Sequence, residues 1–168
     1  MAAGKLQHEL RKKQPFTSPE QEAALSLIRT SDRMQLCFER LFRRHGLHAA
    51  QYNILRILRG EGKPLPILEI ARRTVTVVPG ITGLIDRLER DGLVTRRRSR
   101  EDRRKVFVQI TPKAAEVLAR LDEPILQLHR RQLGELSASE LKQLLGLLEK
   151  VRCAVEEEVV RHGPPPEE

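Results

Sequence analysis

Apolar residues return every three or four positions over most of this chain, a spacing that predicts helices. The first long one starts at Thr17-Ser18-Pro19-Glu20-Gln21-Glu22, where Ser18 caps, Pro19 suits the first helical position and acids fill the first turn. Met34, Cys37, Phe38, Leu41 and Phe42 form its stripe, and the helix runs to about Arg44 before Gly46 ends it. Residues 48–58 predict a second helix. Tyr52, Leu55 and Leu58 lie on one side with Ile54 and Ile57 beside them, so it is apolar nearly all round and should be central. Gly60, Gly62, Pro64 and Pro66 break the chain, and residues 67–73 form a short third helix. Residues 79–90 give a fourth, with Ile81, Leu84, Ile85 and Leu88 on one face and Gly92 as its stop.

The period then changes. Residues 93–95 and 106–110 are β-prone, and the second strip alternates, with Val106, Val108 and Ile110 on one side. They predict a two-stranded hairpin. Thr111-Pro112 opens a fifth long helix carrying Val117, Leu118, Leu121, Ile125 and Leu128, which Pro124 should kink. Ser137 and Glu140 have capping-box spacing at the head of the last helix. Its stripe is Leu141, Leu144, Leu145, Leu148, Val151, Val155 and Val159. The ends lack such patterning: residues 1–17 read as a flexible basic segment and residues 162–168 as a disordered tail.

The class is therefore mostly α with a small β-hairpin wing. Short helix, turn, amphipathic helix and hairpin make a winged helix-turn-helix over residues 46–111. Residues 18–45 and 112–161 supply more apolar helix than one small winged core needs, which suits dimerisation.

Charge sharpens this picture. The chain has 168 residues, a net charge of +8 and a pI near 10.1. That excess is modest, but residues 96–105 hold seven cations against two acids. The cluster falls on what reads as the turn of the hairpin, where a phosphate backbone or narrow minor groove attracts cations. A solvated loop is the plainer reading; the flanking strands and preceding helix favour DNA.

Other chemistries find little support. Cys37 and Cys153 form no disulfide framework or zinc spacing, and Cys37 reads as a core residue. His45, His48, His129 and His162 lack metal-ligand pairing. No glycine-rich phosphate loop, Gly-x-Ser-x-Gly or His-x-x-x-His motif points to catalysis, and no cofactor is implied. Few aromatics and no Trp argue against base stacking on single strands. With no apolar leader and no run of membrane length, the expected location is the cytoplasm, at the nucleoid.

Four motifs carry a resemblance. They are Gly46-Leu47-His48-Ala49-Ala50-Gln51-Tyr52-Asn53-Ile54-Leu55-Arg56-Ile57-Leu58, Pro79-Gly80-Ile81-Thr82, Leu84-Ile85-Asp86-Arg87-Leu88-Glu89-Arg90-Asp91-Gly92-Leu93-Val94, and Asp102-Arg103-Arg104 followed by Ile110-Thr111-Pro112. With these the chain resembles the MarR family of bacterial transcription regulators over about residues 18–155. The resemblance implies a homodimer whose outer helices interlock. It also implies two winged regions on a pseudo-palindromic duplex operator, repression, and release by a small phenolic or apolar anion.

The candidate DNA-binding residues are Val78, Pro79, Gly80, Thr82, Arg87, Arg96, Arg97, Arg98, Arg100, Arg103, Arg104 and Lys105. Asp102 and Asp86 are candidates for orienting the wing, and His45 and His48 for lining the ligand pocket. The family commonly has arginine where this chain has Gly83, and polar residues near Val77 and Val78. Direct base reading should thus be sparse, with affinity leaning on the wing. The alternative is a protein-interaction or architectural module that uses the basic wing without operator specificity.

Overall fold

The computed structural model describes residues 5–75, 80–98 and 106–162. Its elements are α1 (Lys5–Glu9), α2 (Pro19–Arg43), α3 (Ala49–Glu61), β1 (Leu65–Pro66), α4 (Ile67–Arg72), α5 (Ile81–Arg90), β2 (Val94–Arg98), β3 (Val106–Ile110), α6 (Pro112–Leu133) and α7 (Ala138–His162). They fall into two compact units, Met1–Leu126 and Gln127–Glu168.

The first unit is organised around α3. Ile54, Leu55, Ile57 and Leu58 are all buried, as its nearly all-round apolar character predicts. Ile70 of α4, Ile85 and Leu88 of α5, Val94 and Val108 of the sheet, and Leu118 and Leu121 of α6 join them in one core. Phe42 of α2 enters the same core and stacks on Tyr52 of α3 at 4.3 Å between ring centroids.

The sheet has three antiparallel strands in the order β1-β3-β2, not the expected two. Leu65 pairs with Val108 and Pro66 with Phe107. Proline is tolerated there because β1 is an edge strand. β2 also runs further than its apolar positions suggested. Arg96, Arg97 and Arg98 are strand residues paired with Val108, Phe107 and Val106, so part of the charge lies on the strand instead of the turn.

Caps fix where the elements meet. Gly92, at φ +71, lets the chain leave α5, and Thr111 then ties the two ends of the hairpin together. The Thr111 N–H donates to Leu93 O at 3.1 Å, its hydroxyl donates to Gly92 O at 2.9 Å, and it accepts from the Ala114 N–H at 3.2 Å. One side chain thus closes the base of the hairpin and caps α6.

Two further expectations are corrected. The N-terminal segment is not wholly irregular: α1 forms where Glu9 meets Arg29 of α2 at 2.9 Å, a tertiary contact with no local signal. Cys37 is exposed and not a core residue, while Phe38, Leu41 and Phe42 carry the inward face of α2. α6 runs from Pro112 to Leu133 with Pro124 inside it, between the buried Leu121 and Ile125.

Arg59 of α3 and Asp122 of α6 make a two-pronged pair, Nη1 to Oδ2 at 2.9 Å and Nη2 to Oδ1 at 2.7 Å. This geometry holds the Arg59 guanidinium above its ordinary pKa through its hydrogen bonds to Asp122. Both groups are partly exposed, so solvent screens the attraction. Asp122→Ala is expected to cost about 1 kcal/mol in urea denaturation. An unchanged midpoint would show that screening leaves the pair without net value.

In the second unit, α7 begins with a reciprocal cap. The Ser137 N–H donates to Glu140 Oε2 at 2.8 Å and the Glu140 N–H donates to Ser137 Oγ at 3.3 Å. Its Leu145, Val151, Val155 and Val159 are exposed. Among the described residues, no helix is long and apolar enough to cross a membrane, and no cluster of His, Cys, Asp or Glu is placed to hold a metal ion.

Candidate nucleic-acid interface

α5 divides sharply by face. Ile85 and Leu88 are wholly buried, and Ile81 and Leu84 pack beside them. Thr82, Gly83, Arg87 and Arg90 are exposed. Gly80 precedes the helix at φ +64 and supplies no side-chain cap, so the first amides of α5 have no capping group from that residue. The exposed face is therefore small at its start and cationic towards its end.

β2 lies beside α5, and strand alternation puts Arg96 and Arg97 on opposite faces. Val94 and Arg96 point to the core side, and Arg96 sits opposite the buried Val108. Arg97 and Arg98 are exposed. A guanidinium on the core side must be paired to avoid a large desolvation cost. Two carboxylates of α5 meet it. Arg96 Nε and Nη2 reach Glu89 Oε2 at 2.8 and 2.6 Å, and Nη1 reaches Asp86 Oδ1 at 2.6 Å. The backbone N–H of Arg96 also donates to Glu89 Oε1 at 3.2 Å. Hydrogen bonds from Arg96 hold the Glu89 carboxyl below its usual pKa, and the same bonds raise that of Arg96.

A second cluster stands where α2 meets α3. Glu39 accepts from His48 Nδ1 and the Ala49 N–H, both at 2.9 Å, and from Arg43 Nε at 3.1 Å. Burial pushes the Glu39 carboxyl up, but these hydrogen bonds outweigh it and leave the group below its ordinary value. His48 is the residue before α3, its backbone N–H donating to Gln51 Oε1 at 3.0 Å.

Comparison with known proteins identifies this arrangement. Residues 47–106, from just before α3 to the start of β3, match the model of the MarR family. A crystal structure of a MarR transcription factor from Planctomyces limnophilus is 47% identical, with a TM-score of 0.62, over 80% of this chain and 98% of that one. The chain belongs to the MarR family. It is a DNA-binding transcription regulator and not an enzyme. The homoprotocatechuate degradative operon repressor of Escherichia coli is 29% identical over 75% of this chain and 84% of its own length. Bordetella bronchiseptica BpsR, whose structure concerns regulation of DNA binding by 6-hydroxynicotinic acid, is 25% identical with a TM-score of 0.70, over 78% of this chain and 98% of that one.

Within this MarR fold the candidate residues separate into groups. Gly80, Thr82 and Arg87 lie at the start or on the exposed face of α5, and Arg97 and Arg98 on the exposed part of β2. Arg96 differs from its neighbours in being held by Asp86 and Glu89. Val78, Pro79, Arg100, Asp102, Arg103, Arg104 and Lys105 lie outside the described residues. The sequence suggests that Asp86 pairs with Arg87 or reaches the wing, without singling out Arg96, and it gives Glu89 no role. The available signal was the i, i+3 spacing of these two acids, which places both on one flank of α5.

A Cβ built at Gly83 meets nothing within 4 Å. Glycine inside a helix costs roughly 1 kcal/mol relative to alanine. Gly83→Ala is therefore expected to raise the melting temperature by about 2–4 °C for a chain of this size. A lowered melting temperature would show that the position is not open.

Proposed function

We propose that the chain is a homodimeric repressor that binds a pseudo-palindromic duplex operator and is released by a small aromatic or apolar anion. The observation that carries the reading is the exposed cation set formed by Arg87 and Arg90 on α5 and by Arg97 and Arg98 on the adjoining strand. α5 would enter a major groove with Gly80 and Thr82 foremost, and the wing would follow the backbone into the flanking minor groove. Val78, Pro79, Arg100, Arg103, Arg104 and Lys105 complete the proposed contact surface, with Asp102 and Asp86 orienting the wing. With Gly83 bare and few hydrogen-bonding side chains on the helix, affinity would lean on phosphate contacts and shape.

Two features support dimerisation and release. The stripe of α7, with Leu145, Val151, Val155 and Val159 exposed in the single chain, suits burial against a second copy. Relatives named for homoprotocatechuate degradation and for control by 6-hydroxynicotinic acid support a hydroxylated aromatic acid as the kind of effector. His45 and His48 are the proposed pocket residues. An anion at His48 would compete with Glu39 for Nδ1.

Binding to duplex DNA from the neighbourhood of its own gene, measured by fluorescence anisotropy from 50 to 300 mM salt, tests the reading. The logarithm of affinity should fall with the logarithm of salt with a slope of about −4 or steeper, reporting several released counterions. Either hydroxylated aromatic acid should lower the affinity. Absence of duplex binding would refute the reading and favour an acidic protein partner.

A further inference from the structure

We propose that Arg96 is a positioning residue and not a DNA contact: its guanidinium is a strut that fixes the wing against α5, with Glu89 as main anchor and Asp86 as second. The proposal rests on the duplex-binding reading above. It reverses the assignment that the run of arginines suggests, because a cation is available to phosphate only if its charge is not already spent.

Three observations carry it. The first is orientation: Arg96 shares the core side of β2 with Val94, Arg97 faces the other way, and Arg98, on the side of Arg96 but at the end of the strand, is exposed. The second is saturation. All three guanidinium nitrogens reach a carboxylate oxygen of α5 at 2.6–2.8 Å, and the backbone N–H of the same residue binds Glu89 as well. The third is charge. One guanidinium against two carboxylates leaves the cluster at a net −1, so it offers a phosphate no attraction of its own.

Position explains why such a cluster matters. The chain passes from α5 to β2 through Asp91, Gly92 and Leu93 alone. Backbone hydrogen bonds from Gly92 to Glu89 and from Leu93 to Leu88 fix that turn but not the strand beyond it. Arg96 binds α5 three residues further on, where the strand starts to carry the exposed arginines outwards. Loop and strut together set the angle at which Arg97 and Arg98 stand to the exposed face of α5. A wing held at that angle pays less ordering entropy on binding.

Salt titration of duplex binding separates a strut from a contact. A phosphate contact contributes about 0.9 to the log–log slope, so Arg97→Gln should flatten the slope by about 2 in a dimer. Arg96→Gln should weaken binding about tenfold at every salt concentration and leave the slope unchanged. Glu89→Gln should also weaken binding, although it removes a negative charge that would repel DNA. The exchange Arg96→Glu with Glu89→Arg should recover affinity to within about threefold of the parent. Circular dichroism and melting temperature of the dimer accompany each variant, and Arg96→Lys, which keeps the charge but loses the fork, should fold and bind at an intermediate level.

A flattened slope for Arg96→Gln, or tighter binding by Glu89→Gln, would overturn the proposal while the regulator reading stood. Failure of the parent chain to bind any duplex would instead overturn the regulator reading and, with it, this role for Arg96.

Discussion

Replacing Arg97 and Arg98 together by glutamine is expected to weaken duplex binding by about 10- to 100-fold at 0.15 M salt. Both side chains are exposed on β2, and among the described residues no ion pair engages either. Their charge is thus free to displace the counterions that DNA condenses. In a dimer four such contacts vanish, and the slope of log affinity against log salt should become less negative by about 3 to 4. The loss should be similar on operator and on unrelated duplex, because phosphate contacts position the protein without reading sequence. Folding should be unaffected, since neither side chain enters the core. Anisotropy titrations at three salt concentrations check this; an unchanged slope would remove β2 from the interface.

The largest effect on stability is expected from Ile85→Ala. Ile85 is wholly buried on the inner face of α5, within the cluster that also holds Ile54, Leu88 and Val108. Truncating it loses the transfer energy of three carbons and leaves a cavity the close-packed core fills only in part, about 2–5 kcal/mol in all. α5 is just ten residues long, too short to persist without its buried face. DNA affinity should therefore fall with stability, and saturating DNA should restore part of it through linkage. Chemical denaturation with and without duplex measures both. A change below about 1 kcal/mol would contradict the place of α5 in the core.

Most of this fold is legible in the sequence because long amphipathic helices announce themselves. Leu55 and Leu58 of α3, Ile85 and Leu88 of α5, and Leu118 and Leu121 of α6 are all read from their spacing and all lie in the core. What the pattern misses has tertiary causes. β1 is a strand only because Leu65 and Pro66 find Val108 and Phe107, some forty residues away, and two residues carry no period of their own. α1 depends on Arg29 reaching back to Glu9. Cys37 shares the apolar spacing of its helix but lies off the face that Phe38 and Phe42 bury.

The interface was legible in the same uneven way. Its place, between an amphipathic helix and a basic hairpin, follows from the order of elements. Its internal division does not, because a run of arginines looks uniform until strand register gives Arg96 and Arg97 opposite faces. Register in turn follows from the pairing of Val94 with Ile110, which no reading of charge supplies. Glu89 escaped notice for the same reason: its partner lies in another element.

Hydroxyl-radical footprinting of the protein on DNA flanking its own gene tests the central claim most directly. Two protected tracts about one helical turn apart are predicted, related by a pseudo-two-fold axis, each with minor-groove protection beside it that is lost on changing Arg97 and Arg98. Uniform protection without that spacing, or protection indifferent to those two arginines, would contradict a dimer that grips its operator through α5 and the wing.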